Sequence, residues 1–154
     1  MNIRVGKKED LAAMLDLIKE LALYEKAPNE VTNTVERMEE DGFGEHPIFG
    51  SFVAENNDGD IVGISIYYYR YSTWKGKRLY LEDIVVTEKQ RGNGIGKLLF
   101  DATAKKAKDE KCSGMVWQVL DWNTPAINFY KKYEADFEDE WVNCSLNEQQ
   151  LQAF

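Results

Sequence analysis

The stretch from Phe49 to Glu88 constrains the fold more than any other part of this chain. "FGSFVAEN" and "IVGISIYYYRY" are rich in β-branched and aromatic residues, and the "NDGD" between them is a hairpin signal. "KRLYLEDIVVTE" has the same character, so three successive strands are predicted, the first two antiparallel. Helical patterns lie on either side. From Lys8 to Glu25, the residues Leu11, Met14, Leu15, Ile18, Leu21 and Ala22 recur at helical spacing, with "IRV" from Ile3 as a short strand before them and Pro28 as the stop. A second helix is predicted from Thr32 to Asp41, followed by a "GFGEHP" loop. Beyond the third strand come a helix from about Gly94 to Lys111, a strand "GMVWQVL", a helix opening near Thr124 and Pro125, and a terminal strand around "WVNCSL" that closes the sheet. The order β-α-α-β-β-β-α-β-α-β describes an α/β (α+β) chain, a mixed sheet covered by helices.

Composition narrows the classes of partner. The chain has 154 residues, 44% of them hydrophobic, and carries no repeat or linker-like tract, so a single domain over residues 1–154 is expected. A formal charge of −8 argues against nucleic acid, whose phosphates are bound by clustered Lys and Arg, and favours amines or polycations. Cys112 and Cys144 form no CxxC pair or Cys/His cluster, so neither a metal site nor a disulfide scaffold is expected, and a reducing, cytoplasmic setting fits. "MNIRVGKKEDL" contains no apolar leader core, and no apolar run reaches the roughly 18 residues a spanning helix requires, so neither secretion nor a membrane is expected.

The third predicted strand runs into "EKQRGNGIGKLLF". A Walker A loop would need Gly where Arg91 stands and Ser or Thr where Leu98 stands, and a dinucleotide fingerprint starting at Gly92 would need Gly at Lys97. Both readings fail. What remains is R-x-x-G-x-G at a strand-to-helix junction, where glycines admit a ligand close to the backbone and the unpaired first-turn N–H groups converge on an anion such as a pyrophosphate. The competing reading is a glycine-rich turn with no ligand. Downstream, "VLDWNTPAINFYKK" places Asn123, Thr124 and Pro125 as helix-start residues, with Tyr130 about six residues in. With eight tyrosines in the chain, simple packing is the competing reading there.

"RGNGIG" after "LYLEDIVV", followed by "LDWNTPAINFY", resembles the acetyl-CoA-binding core of the GNAT acetyltransferases in chain order. "ELALYEK", "EDGFGEHP", "YYYRYSTWKGKRLYLEDIVV" and "NFYKK" are similar to the diamine acetyltransferase family, which includes spermidine/spermine and thialysine N-acetyltransferases. The similarity runs from Ile3 to about Leu146. It implies the acyl-CoA N-acyltransferase fold, a mostly antiparallel sheet flanked by helices. It also implies that the amides of Gly92, Asn93, Gly94, Ile95, Gly96 and Lys97 hold the pyrophosphate of acetyl-CoA, with Arg91 supporting them. Ile84, Val85 and Val86 would offer strand backbone to the pantetheine arm, and Asn123, Thr124, Pro125 and Ala126 would line its other side. Tyr130 falls where the family places the acid that protonates the departing thiolate. Glu82 and Asp83 fall at the acceptor amine, with Tyr24, Glu25, Trp74, Val116, Trp117 and Gln118 also on the acceptor side. A homodimer is expected from the same resemblance.

The chemistry requires such residues. An alkylamine of pKa roughly 10.4 must lose a proton before it attacks a thioester, a cost of about 4 to 5 kcal/mol at pH 7. Glu82, directly or through water, is the expected base. Strand alternation predicts that only one of Glu82 and Asp83 faces the site. A strand N–H near Ile84 or Val85 would steady the oxyanion. Spermidine/spermine enzymes tend to carry Asp before the Pro-Trp of the segment that here reads "YSTWKG"; Ser72, Thr73 and Trp74, like "VLDWN", resemble the thialysine branch. A small amine such as thialysine is therefore the leading acceptor, with diamines and polyamines second. An idle acyl-CoA sensor and a peptide N-acetyltransferase are the rival functions. His46, the only histidine, precedes a proline in a loop and is assigned no catalytic role.

Overall fold

The computed structural model describes residues 1–154. Its longest strand is β3 (Ile61–Ser72), where the run of β-branched and aromatic residues lies between β2 (Gly50–Glu55) and β4 (Gly76–Val86), antiparallel to both. The "NDGD" turn closes the β2–β3 hairpin as predicted: the Asn56 side-chain oxygen accepts from the Asp58 and Asp60 amides at 2.9 and 2.8 Å. β1 (Asn2–Val5) pairs antiparallel with β2, and β5 (Met115–Val116) pairs parallel with β4, giving the sheet order β1-β2-β3-β4-β5. By contact density the chain divides into two compact units, Met1–Gln118 and Val119–Phe154.

Within the first unit the two sheet faces are covered by different helices. α1 (Leu11–Tyr24) lays Leu11, Met14, Leu15 and Leu17 on Val53, Ile64, Ile66 and Val85, the core of one face. α3 (Ile95–Asp109) covers the other face, where Ile95 and Leu99 meet Ala54, Val62, Ile84 and Val86. A buried hydrogen bond of 2.8 Å between the hydroxyls of Ser65 and Thr103 ties α3 to β3. Arg4 links β1 to the start of α1, bonding both oxygens of Asp10 (2.7 and 2.9 Å) and the Glu55 carboxylate. Arg4 and the Lys7 amide hold the Asp10 carboxyl below the usual carboxylate range, against the opposing effect of burial.

Four expectations change. α2 spans Val35–Phe43, with Thr34 as the cap accepting from the Arg37 amide, instead of starting at Thr32. Starting there puts Val35 and the buried Met38 on the core, one turn apart. Gly42, read as a loop glycine, lies in the last turn of α2, and the Phe49 ring packs 2.4 Å from where a Cβ would be, which requires glycine there. The strand predicted at "GMVWQVL" is reduced to Met115 and Val116, which pair with Leu79 and Tyr80 only. The predicted terminal strand around Trp141–Leu146 does not form; its apolar residues enter no ladder, and Trp141 and Val142 are 76% and 86% exposed.

The second unit holds α4 (Thr124–Lys131), capped by the Asn123 side chain on the Ala126 amide, and α5 (Glu148–Leu151), opened by a reciprocal Asn147–Gln150 pair.

Candidate active site

The glycine segment takes the form its sequence predicted. Gly92 and Gly94 adopt φ of 80° and 78°, the left-handed region that favours glycine, and a Cβ added to either would meet nothing within 4 Å. The space above both is open. Gly94 caps α3 without a side-chain partner, so the first-turn amides depend on an outside acceptor. Ile95 is buried in the α3-side core and fixes the turn from beneath. The Lys97 amine is held along the helix by Asp101, so the anion-facing groups are backbone amides. Open space, left-handed glycines and a fifteen-residue helix together suit a pyrophosphate.

Arg91 is anchored from the opposite direction. Its Nε donates to the Val86 carbonyl at 2.9 Å, its guanidinium lies 5.2 Å from the Tyr24 ring centroid, and a terminal nitrogen sits 3.6 Å from Glu20 Oε1. Glu20 also accepts from the Thr87 hydroxyl (3.0 Å) and the Glu88 amide (2.7 Å). One carboxylate on α1 thus gathers the whole connection between β4 and the cradle. Sequence reasoning missed Glu20; the available signal was its position four residues before Tyr24, on the same helix face.

β4 carries the most consequential irregularity. Ile66 pairs with Asp83 but Tyr67 pairs with Leu81, so Glu82 is an extra residue opposite the β3 ladder, a β-bulge. Alternation predicted that Glu82 and Asp83 would face opposite sides. Pairing instead sets Leu81 and Ile84 on the α3 face, with Tyr67 and Ser65, and leaves both acids between them on the α1 face. Glu82 lies beside Tyr68 and Tyr80, whose rings pack at 5.1 Å on that face. Burial, then the charges of Glu82 and Glu25, push Asp83 up to about 6. Burial likewise raises Glu25, which follows the last turn of α1. The three carboxylates are therefore one electrostatic group.

Pairing of β4 with β5 stops at Tyr80, just before the bulge. Past it, β4 has no ladder partner on that side. Because the Thr87 amide bonds the Val62 carbonyl, antiparallel alternation turns the peptide groups of Val85 toward β3 and those of Ile84 and Val86 toward the open edge. The Val86 carbonyl on that edge is the one Arg91 takes. Between Ile84 and Val85, the free strand amide is that of Ile84.

The other predicted residues are distributed as follows. Trp74 stands 84% exposed in the β3–β4 turn, which the Ser72 hydroxyl braces by accepting from the Lys75 amide at 3.1 Å. Val116 shares the face of its partner Tyr80, whereas Trp117 packs edge-on against Phe100 of α3, 5.3 Å between centroids; Gln118 is exposed at the end of the first unit. His46 is an exposed loop residue beside Glu45. In the second unit, Asn123 caps α4, Thr124 and Pro125 form its exposed first turn, Ala126 receives the cap, and Tyr130 is 6% exposed with its ring against Phe129.

Comparison with known proteins identifies the family. The Acetyltransferase (GNAT) family profile matches residues 12–134. A thialysine N-epsilon-acetyltransferase of Bos taurus is 43% identical over 86% of this chain and 82% of its own. A spermidine/spermine N(1)-acetyltransferase-like protein of Homo sapiens is 35% identical over 97% of this chain and 23% of its own. An aminoglycoside acetyltransferase from an uncultured soil metagenomic sample, solved with sisomicin, shares the fold at a TM-score of 0.76 and 20% identity, with 95% of each chain covered. The R-x-x-G-x-G cradle on α3, the bulged and partly unpaired β4, and identity above 40% to curated enzymes lead to one conclusion: the chain belongs to the GNAT acetyltransferase family.

Proposed function

We propose that this protein transfers the acetyl group of acetyl-CoA to the primary amine of a small molecule, thialysine or a related lysine analogue before diamines and polyamines. The observation that carries the reading is the bulge at Glu82, which gathers Glu82 and Asp83 on one face with Glu25, alongside a cradle suited to pyrophosphate. In the proposed step the acceptor ammonium first gives a proton, through water, to Glu82. The neutral nitrogen attacks the thioester carbon, the C–N bond forms, and the Ile84 amide donates to the oxyanion. As the tetrahedral intermediate collapses the C–S bond breaks, Tyr130 gives its hydroxyl proton to sulfur, and the second nitrogen proton leaves by the Glu82 route. Solvent reprotonates Tyr130. Glu25 and Asp83 hold the acceptor's remaining positive charge, which separates binding from deprotonation. A cytoplasmic homodimer belongs to the same proposal.

The decisive assay offers thialysine, lysine, putrescine, spermidine and a basic peptide in parallel and follows coenzyme A thiol release. Thialysine preference supports the reading. Spermidine ahead by tenfold in kcat/KM overturns the acceptor, peptide preference favours a protein acetyltransferase, and acetyl-CoA binding without turnover favours a sensor.

Asp83 predicts two pH effects. Its carboxyl is raised from 3.8 to about 6, so kcat/KM for amine should rise through about pH 6 as the anion forms. The stability effect has the opposite direction, because a raised acid holds its proton in the native state after the unfolded chain has released it. That stabilising contribution is complete below pH 3.8 and lost as pH rises through about 6. Asp83→Asn should therefore exceed wild type in stability at pH 7 by up to about 3 kcal/mol and lose the advantage toward pH 4. Equal melting temperatures across that range would count against it.

Glu20→Ala releases Arg91, the Thr87 hydroxyl and the Glu88 amide together. Charged hydrogen bonds of about 1.5 to 3 kcal/mol predict at least a tenfold rise in KM for acetyl-CoA, with kcat changed much less. A matching fall in kcat at constant KM would argue against a role in the cradle.

A further inference from the structure

Two arginines face each other on the acid-bearing side of the sheet. Arg70 pairs directly with Arg78 across β3 and β4, two residues along each strand from the Tyr68–Tyr80 pair, and so on the same face. Like charges set opposite each other are unfavourable, and here a carboxylate does not relieve them: the Arg70 guanidinium rests 5.7 Å from the Tyr80 ring centroid, and Arg78 Nε is buried without a hydrogen-bond partner. An anion from outside would offset the paired charges by bonding the Arg70 guanidinium and the terminal nitrogens of Arg78, whose Nε is packed beside Gly114.

The face therefore has a polarity. At one end are Glu25, Glu82 and Asp83; at the other are Arg70 and Arg78; the paired Tyr68 and Tyr80 rings form an apolar floor between them. Burial raises both tyrosine hydroxyls, Glu82 adds to that and Arg70 opposes it, so both acid and arginine lie within electrostatic reach of the pair. Four residues of β3 separate the Arg70 position from the Ile66–Asp83 pair, about 13 Å at 3.3 Å per residue. Arg70 folds back over Tyr80, which halves that span to roughly 7 Å. Six bonds of about 1.5 Å between a terminal amine and a carboxylate carbon, laid out in zigzag, span a similar distance.

Resting on the acetyltransferase reading above, we propose that Arg70 and Arg78 bind the α-carboxylate of the acceptor, so that the site selects a zwitterionic amino acid with a distal primary amine and disfavours polyamines. A polyamine would bring only a cation to the arginine end. An amino acid brings a carboxylate there, with its α-ammonium on the adjoining carbon able to turn toward the acids.

The test compares thialysine with bis(2-aminoethyl) sulfide, the same chain without the carboxylate, on wild type, Arg70→Gln, Arg70→Lys and Arg70→Gln/Arg78→Gln. Wild type should favour thialysine by about 10- to 100-fold in kcat/KM, the worth of charge-assisted hydrogen bonds to a carboxylate. Arg70→Gln and the double variant should lower thialysine kcat/KM through KM and raise that of the sulfide diamine, while Arg70→Lys keeps part of the preference. A wild type indifferent to the carboxylate, or variants that lose both acceptors in parallel, overturns the proposal. Calorimetric titration of both compounds reads the same preference without turnover. Thialysine binding without acetylation would thus defeat the transferase reading alone, and equal affinity for the two compounds would defeat the arginine assignment alone.

Discussion

Tyr130→Phe is expected to lower kcat by about 10²- to 10⁴-fold while leaving the affinity for acetyl-CoA nearly intact, the range lost when a positioned proton donor is removed. The substitution removes one oxygen from a side chain that is 6% exposed and keeps the ring that packs on Phe129 at 5.3 Å, so α4 should stay folded. Its helix start does not depend on the change, since Asn123 caps the Ala126 amide one turn away. Two measurements separate chemistry from structure: single-turnover thiol release and calorimetric binding of acetyl-CoA. If turnover survives, Tyr130 is a packing residue and another donor protonates sulfur. A leaving group with a lower pKa than coenzyme A should partly restore the variant, because a better thiolate requires less protonation.

Gly94→Trp should abolish measurable acetyl-CoA binding, with Kd raised at least 100-fold. Two effects act together. A residue with a Cβ held at φ 78° is strained by about 1 to 2 kcal/mol, and the indole would occupy the open space before the first-turn amides of α3. Gly94→Ala separates them, because it carries the strain but adds only one methyl. An intermediate loss for Ala and a complete loss for Trp, with far-ultraviolet circular dichroism unchanged in both, is the expected pattern. Tight binding by Gly94→Trp would refute the cradle and return the segment to a turn without a ligand.

Much of this architecture is legible along the chain because its signals are local. The β2–β3 hairpin follows from the side chain of Asn56 and the glycine after it, and α4 from Asn123 and Pro125. Where local signals compete, tertiary packing decides. Thr32 and Thr34 are both good caps, and burial of Val35 and Met38 selects the second. Gly42 reads as a breaker and serves instead as clearance for the Phe49 ring. "GMVWQVL" and "WVNCSL" have strand composition, but a strand needs a partner edge, and beyond Tyr80 the bulged β4 supplies no further rungs to β5.

The site divides along the same line. "RGNG" predicts its own backbone because only glycine enters the left-handed region without strain, so Gly92 and Gly94 at a strand–helix junction specify the turn. The acids behave differently. A strict period of two would have sent Glu82 and Asp83 to opposite faces, and one unpaired residue in the β3–β4 ladder sends them to the same one. Likewise, nothing adjacent in the chain marks Glu20 as the partner of Thr87, Glu88 and Arg91, or Arg78 as the neighbour of Arg70. By itself the sequence determined most of the elements, the glycine turn that opens α3 and the family, because each rests on residues within a few positions of one another. Only the tertiary structure decided which charges share a face, because pairing register and bulges are set by contacts between strands.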